Sequence, residues 1–106
     1  MSTDAGTVVR EDAATQSALA PQYHLVLLDD NDHTYQYVVE MLGRIFGYGR
    51  SKAYAIAALV DGMGEAVVET AAHSRVLQHQ RRIHAYGPDH RIAHCLGSMS
   101  AEIREA

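Results

Sequence analysis

Four consecutive polar residues follow a short apolar run, and their side chains could hold a cation. Residues 23–28 read Y-H-L-V-L-L, and Asp29, Asp30, Asn31 and Asp32 come directly after them. Carboxylate and amide oxygens accept hydrogen bonds, and an ammonium group offers three N–H donors to such acceptors. Charge-assisted bonds of this kind are stronger than neutral ones. The cluster therefore predicts a cation site. With an apolar groove beside it, the site would suit the free amino terminus of a peptide.

The elements on either side of the cluster would position it at a strand-to-helix turn. The run at 23–28 has the composition of a short buried strand. The following helix should begin near Asp32 to Thr34, whose side chains can cap its first N–H groups. Gly47 and Gly49 can end it, because glycine tolerates the left-handed conformation found after helices. The apolar residues of this helix recur at helical spacing: Val38, Val39, Leu42, Ile45 and Phe46.

A second helix should begin after Ser51, which can act as its cap, and end at Gly62 and Gly64. The predicted apolar side of this helix consists of Ile56, Leu59, Val60 and Met63. Residues 66–70 read A-V-V-E-T, which is a strand pattern. A third helix is predicted over about residues 72–85.

The last element is predicted to be a strand. Gly87 and Pro88 are a turn signal, and Arg91–Leu96 follows, in which Ile92, His94 and Leu96 would lie on one face of a strand. The predicted order is therefore β-α-α-β-α-β, a single small α+β domain with a small antiparallel sheet backed by helices. Residues 1–22 are small and polar with no sustained period, so we expect a flexible N-terminal tail and a folded domain at 23–106.

Composition restricts the class of protein. The 106 residues fit one domain, with 47% hydrophobic and 21% charged residues and a net charge of −4. No apolar run approaches the length of a membrane span, and the N-terminus has no signal-peptide pattern. Residues 1–40 carry seven acids against one base, which argues against nucleic-acid binding. We therefore expect a cytoplasmic protein that binds neither membranes nor nucleic acid.

Metal binding and catalysis have little support in the sequence. His79 and His84 are five residues apart and His90 and His94 are four apart, but neither pair forms H-E-x-x-H, and Cys95 is the one thiol. The acidic cluster lacks the glycine and the closing glutamate of a calcium loop. There is no G-x-S-x-G motif and no phosphate-binding glycine loop. We expect no metal, no cofactor and no catalysis, and an enzyme built on the carboxylates and histidines stays open as an alternative.

The stretch from Tyr23 to about Leu96 resembles the ClpS family, adaptors that deliver N-degron substrates to the AAA+ Clp unfoldase and protease. The resemblance rests on D-D-N-D after Y-H-L-V-L-L, on V-V-E-M-L-G-R-I-F-G-Y, and on L-V-D-G-M-G-E-A-V-V. It implies a monomeric, non-catalytic adaptor. Its partners would be a Clp-type AAA+ unfoldase of the ClpA or ClpC type and substrate proteins with a bulky hydrophobic N-terminal residue.

The resemblance also implies which residues bind the substrate. The α-amino group would be held by Asp29, Asp30 and Asp61, where the family usually has Asn, Asp and His. Aspartate keeps the acceptor role at the two altered positions and adds charge. The hydrophobic pocket for the first side chain would be lined by Tyr35, Val38, Met41, Ala57 and Val60. Of these, Tyr35 stands where the family usually has a methionine that gates the pocket.

Two further regions follow from the resemblance. The third helix has a basic face, which would neighbour the surface that contacts the unfoldase: Arg75, His79, Arg81 and Arg82. The tail at 1–22 would assist delivery at the unfoldase pore. The alternative within the same family is a diverged regulator that docks on the unfoldase and binds no degron.

Overall fold

A computed structural model describes residues 20–106, and its elements follow the predicted order. The α+β fold with its antiparallel sheet is confirmed, whereas residues 1–19 of the predicted tail lie outside the described residues. The elements are β1 (Gln22–Leu28), α1 (Tyr35–Phe46), α2 (Arg50–Met63), β2 (Glu65–Ala72), α3 (His73–His84) and β3 (Ala101–Glu105).

The sheet is built around its first strand. Its order is β2-β1-β3, and both neighbours run antiparallel to β1. Leu27 of β1 lies between Ala66 of β2 and Ala101 of β3, and a bulge in the β1–β2 pairing falls after Leu25. Leu25 and Leu27 are fully buried. They belong to a core that also contains fully buried residues of α1 and α3: Met41, Leu42, Val76 and Ile83.

Helix α1 begins and ends where its sequence signals place it. The side chain of Thr34 caps the helix by accepting a hydrogen bond of 3.1 Å from the backbone N–H of Tyr37. Gly47 follows the helix at φ 74°, a left-handed conformation that favours glycine. The predicted apolar stripe is buried at Val38, Leu42 and Ile45. The helix is therefore a fixed frame for the acidic turn that precedes it.

Two details predicted for α2 were wrong. Its cap is Gly49, so Ser51 lies within the first turn and makes no capping bond. The buried face consists of Ala53, Ile56, Ala57 and Val60. The predicted core residues Leu59 and Met63 are instead 52% and 75% exposed. The buried face includes Ala53 and Ala57, because alanine side chains are small and permit close packing between helices.

The predicted strand at Arg91–Leu96 was also wrong, since β3 lies ten residues later. The segment forms turns, in which the N–H of Ile92 donates to the carbonyl of Asp89 and the N–H of Cys95 donates to that of Ile92. Leu96 is 94% exposed. A short segment forms a strand only beside a partner, and the edge of β1 that β2 leaves open is occupied by β3.

Candidate functional site

A small pocket of about 30 Å³ lies between the acidic turn, the start of α1 and the end of α2. It brings together all three carboxylates predicted to hold an amino group and four of the five predicted hydrophobic residues. Its lining residues are Asp29, Asp30, His33, Thr34, Tyr35, Val38, Ala57, Val60, Asp61 and Met99. One part of the pocket is thus acidic and another apolar, the combination that an amino terminus with its side chain requires.

Met41 is the predicted pocket residue that the structure places elsewhere. It is fully buried in the core, three residues beyond Val38 on α1, and does not line the pocket. Met99 lines the pocket and was not predicted. It lies just before β3, and only the pairing of β3 with β1 brings it there, so no local sequence pattern could have indicated it.

Backbone interactions fix the position of the acidic turn. The N–H of Asp29 donates to the carbonyl of Gly64 at 3.0 Å, which ties the turn to the end of α2. Asn31 has φ 64°, a left-handed conformation that Asn adopts more readily than most residues. Asp32 does not cap α1 as predicted. Its carboxylate instead pairs with His94 at 3.2 Å, because the capping position belongs to Thr34.

The pocket carboxylates keep free hydrogen-bonding capacity. Within residues 20–106 the carboxylate of Asp29 makes no hydrogen bond or ion pair. Asp30 accepts hydrogen bonds on Oδ1, and Asp61 accepts one on Oδ2. The other oxygen of each carboxylate accepts none from the described residues. Because no Lys or Arg lines the pocket, these oxygens are acceptors without a cation, and an ammonium group could use them.

His33 connects Asp30 to the segment between α3 and β3. Its side chain is 3% exposed, and its Nδ1 lies 2.8 Å from Oδ1 of Asp30. Its Nε2 lies 2.8 Å from the carbonyl oxygen of Gly97 and 3.4 Å from Sγ of Cys95. His33 therefore fixes the orientation of Asp30. The sequence analysis missed it, and its adjacency to the acidic cluster was the available signal.

Asp89 anchors the same segment to the start of α1. It is 1% exposed, and its carboxylate accepts hydrogen bonds from the N–H and hydroxyl of Thr34 at 2.7 and 2.8 Å. Burial raises the pKa of Asp89, but hydrogen bonds from Thr34 and Arg91 outweigh it and bring the pKa down to about 2. The sequence analysis missed this residue as well. Its place after Gly87 and Pro88 indicates only a turn.

Tyr35 lines the pocket between the start of α1 and the end of α2. Its hydroxyl donates a 2.8 Å hydrogen bond to Oδ2 of Asp61, so the phenol connects the start of α1 to the last turn of α2. This bond, with a smaller contribution from burial, raises the pKa of Tyr35. The ring of Tyr54 packs edge-on against that of Tyr35, with ring centres 5.2 Å apart.

Several histidines and arginines outside the pocket, including most of those on the basic face of α3, pair with neighbouring groups of the fold. Within residues 20–106 no three His, Cys, Asp or Glu side chains are placed to hold a metal ion. His79 pairs with Glu69 at 2.7 Å, and Arg75 pairs with the same carboxylate at 2.8 Å. Arg82 donates hydrogen bonds to the last carbonyls of α1. Across the same part of the chain, no helix has the length and apolar character to cross a membrane.

Comparisons with known proteins show the family to which this chain belongs. The profile of the family described as "ATP-dependent Clp protease adaptor protein ClpS" matches residues 18–96. No curated protein matches the chain significantly. Among solved structures, Agrobacterium tumefaciens ClpS2 bound to L-phenylalaninamide is similar in fold, with a TM-score of 0.65 and 17% identity over 79% of this chain and 98% of that one. Since the family profile covers most of the chain, this protein belongs to the ClpS family of Clp protease adaptors.

Proposed function

We propose that this domain binds the free amino terminus of N-degron substrates and delivers them to a Clp-type AAA+ unfoldase, without catalysis of its own. The observation that carries the proposal is the convergence of Asp29, Asp30 and Asp61 on one pocket with Val38 and Val60. An ammonium group needs acceptors, and the side chain next to it needs apolar surface.

The combination of carboxylates and apolar side chains in the pocket supports a peptide amino terminus as the ligand over a metal cation. Three carboxylates around a bare ion would leave the apolar surface of the pocket without a role. The related ClpS2 structure contains L-phenylalaninamide, which carries an α-amino group beside an apolar side chain. We propose that the same kind of group occupies the pocket of this chain, with its ammonium at the three carboxylates.

Delivery would follow the pattern of the family. We propose an unfoldase of the ClpA or ClpC type as the partner, and a cytoplasmic setting in which a monomer of the adaptor meets it. The basic face of α3 would neighbour the proposed contact, and residues 1–22 would assist transfer at the pore. The side chain of Arg81 makes no hydrogen bond or ion pair within the described residues, so it is available to a partner.

Peptide binding measured by fluorescence anisotropy tests the proposal. Peptides with a free amine should bind, and their N-acetylated forms should not, because acetylation removes the charge and two of the three donors. Asp29→Ala should weaken binding about tenfold or more, since it removes the acceptor of a charge-assisted bond that contributes about 1.5–3 kcal/mol. Asp32→Ala is the matched control, because it removes the same group from the same turn outside the pocket. Equal binding of free and acetylated peptides would contradict the proposal.

The closed state of the pocket favours one second candidate, a regulator that docks on the unfoldase and binds no degron. The pocket of about 30 Å³ is small, and Asp61 already has a partner in Tyr35. Capture of purified ClpA-type or ClpC-type unfoldase by the immobilised domain, together with no free-amine-dependent peptide binding, would select this candidate. Unfoldase capture with peptide binding would select the adaptor.

A further inference from the structure

Cys95, His33 and Asp30 form a connected series of side chains that ends at the pocket. Sγ of Cys95 lies 3.4 Å from Nε2 of His33, and Nδ1 of the same ring lies 2.8 Å from Oδ1 of Asp30. His33 and Asp30 line the pocket, whereas Cys95 does not. A thiol, an imidazole and a carboxylate in this order are the groups that activate a cysteine for nucleophilic attack. The arrangement therefore points to a reactive thiol.

The partners of the His33 ring require both of its nitrogens to donate. The ionised carboxylate of Asp30 and the carbonyl of Gly97 can only accept hydrogen bonds, and each lies 2.8 Å from one ring nitrogen. The Nε2–H that donates to Gly97 also faces Sγ of Cys95. If the thiol proton moves to Nε2, the sulfur becomes a thiolate beside an imidazolium, and both hydrogen bonds of the ring are satisfied.

A second N–H group also points at the sulfur of Cys95. The backbone N–H of Asp89 donates to Sγ at 3.3 Å. Donors of this kind stabilise negative charge on sulfur, and the thiolate is the form that reacts. Cys95 is 8% exposed and is the one cysteine among the 106 residues, so no second thiol of the chain can close a disulfide with it. Only an external reductant can therefore restore the thiol after oxidation.

We propose that Cys95 is a redox-sensitive thiol, and that its oxidation by a hydroperoxide weakens the binding of an amine in the pocket. The sulfur attacks one oxygen of the peroxide, so that an S–O bond forms, the O–O bond breaks, and the sulfur loses two electrons to become a sulfenic acid. The leaving oxygen takes the proton from Nε2 of His33 and departs as water, or as an alcohol from an organic hydroperoxide. Two equivalents of a small thiol then restore Cys95, with water and a small disulfide as products.

Oxidation of the thiol would reach the pocket through two anchors. Three polar groups already lie 3.3 to 3.4 Å from Sγ, so an added oxygen must displace at least one of them: the N–H of Asp89, Nε2 of His33 and the carbonyl of Gly97. His33 orients Asp30, and the carboxylate of Asp89 holds the N–H of Thr34, which also lines the pocket. This half of the inference rests on the proposed function, because it assumes that an amine binds at the carboxylates.

The rate of oxidation tests the thiol without any peptide. With hydrogen peroxide at pH 7, the folded chain should form the sulfenic acid about tenfold or more faster than the chain unfolded in urea, although folding buries the thiol. Dimedone labelling and intact mass measure this rate. His33→Gln should lose most of the advantage, and His94→Gln is the matched control, because it makes the same change next to Cys95 in a ring that pairs with Asp32. Slower oxidation of the folded chain, or equal losses in the two variants, would overturn the redox-sensitive thiol.

Peptide titration of the reduced, oxidised and re-reduced chain tests the effect on the pocket. Peroxide should weaken binding of a free-amine peptide about fivefold or more, the equilibrium effect of about one net hydrogen bond, and dithiothreitol should restore it. Cys95→Ser, treated in the same way, is the control for methionine oxidation, and its affinity should not change. Rapid oxidation with unchanged affinity would overturn the effect on the pocket alone. If the reduced chain shows no free-amine-dependent binding, the proposed function is overturned with that effect, and the oxidation rates still decide the thiol.

Discussion

Replacing Asp89 with Asn should destabilise the fold in a way that depends on pH. The carboxylate is almost inaccessible to solvent and accepts four hydrogen bonds, two from Thr34 and two from Arg91, at 2.7 to 3.2 Å. Burial opposes its ionisation, yet these donors prevail and lower the pKa to about 2 from an ordinary 3.8. Asparagine keeps the shape, loses the charge and turns an N–H₂ group toward one pair of donors.

The sign and size of the effect follow from the pKa. Because the folded pKa lies below the unfolded one, the contribution of Asp89 is present above pH 4 and is lost as the pH falls through 2. The difference between 3.8 and about 2 corresponds to about 2 kcal/mol of unfolding free energy at pH 7 and about 1 kcal/mol at pH 3. Asp89→Asn should therefore cost about 2–3 kcal/mol at pH 7 and about 1 kcal/mol less at pH 3.

Urea unfolding followed by circular dichroism at both pH values measures this difference. Asp32→Asn is the control, because that carboxylate is half exposed and, among the residues that the structure describes, pairs with His94 alone. At pH 7 it should change the free energy of unfolding by less than about 1 kcal/mol. An Asp89→Asn penalty that is the same at pH 7 and pH 3 would refute the argument, as would a variant as stable as the parent at pH 7.

Two smaller changes test other parts of the fold. Tyr37→Phe removes a 2.6 Å hydrogen bond to the carbonyl of Gly87 and should cost about 1 kcal/mol in urea unfolding. Burial raises the pKa of Tyr37 to about 12, so its contribution is present below pH 10 and lost as the pH rises through 12, and ultraviolet titration of the variant should lack this late step. Gly64→Ala, at φ 86°, should cost about 1–2 kcal/mol, whereas Gly62→Ala within α2 should stabilise by about 0.5–1 kcal/mol. Equal urea midpoints for the two alanine variants would contradict this reading of the turn.

The fold could be predicted wherever local signals decide it. The start of α1 depends on a cap at Thr34 and its end on a glycine at 47, and both act within a few residues. The cap of α2 was misplaced because Gly49 and Ser51 can each begin a helix, and packing against α1 decides between them. The last strand was misplaced because a strand forms beside a partner, and β1 is distant in sequence.

Some residues of the candidate site could likewise be predicted from the sequence, and others depend on contacts between distant segments. The resemblance to the ClpS family grouped Asp29, Asp30 and Asp61, and the structure brings all three to one pocket. The contacts of His33 and Met99 depend on the segment between α3 and β3, whose path is set by the buried carboxylate of Asp89. The hydrogen bond between Tyr35 and Asp61 also could not be read from sequence, because it depends on the distance between two helix ends.

The position of β3 near the end of the sequence affects how the domain folds during translation. Leu27 and Ala101 pair across the sheet although they are 74 residues apart (101 − 27). Pairings between distant segments form late, because a long loop must close before they contribute. On the ribosome, β1 would emerge first and keep an unpaired edge until the last strand is released. A chain stopped before Ala101 would retain that exposed edge, which is a template for aggregation, and would lack the pairing that places Met99 at the pocket.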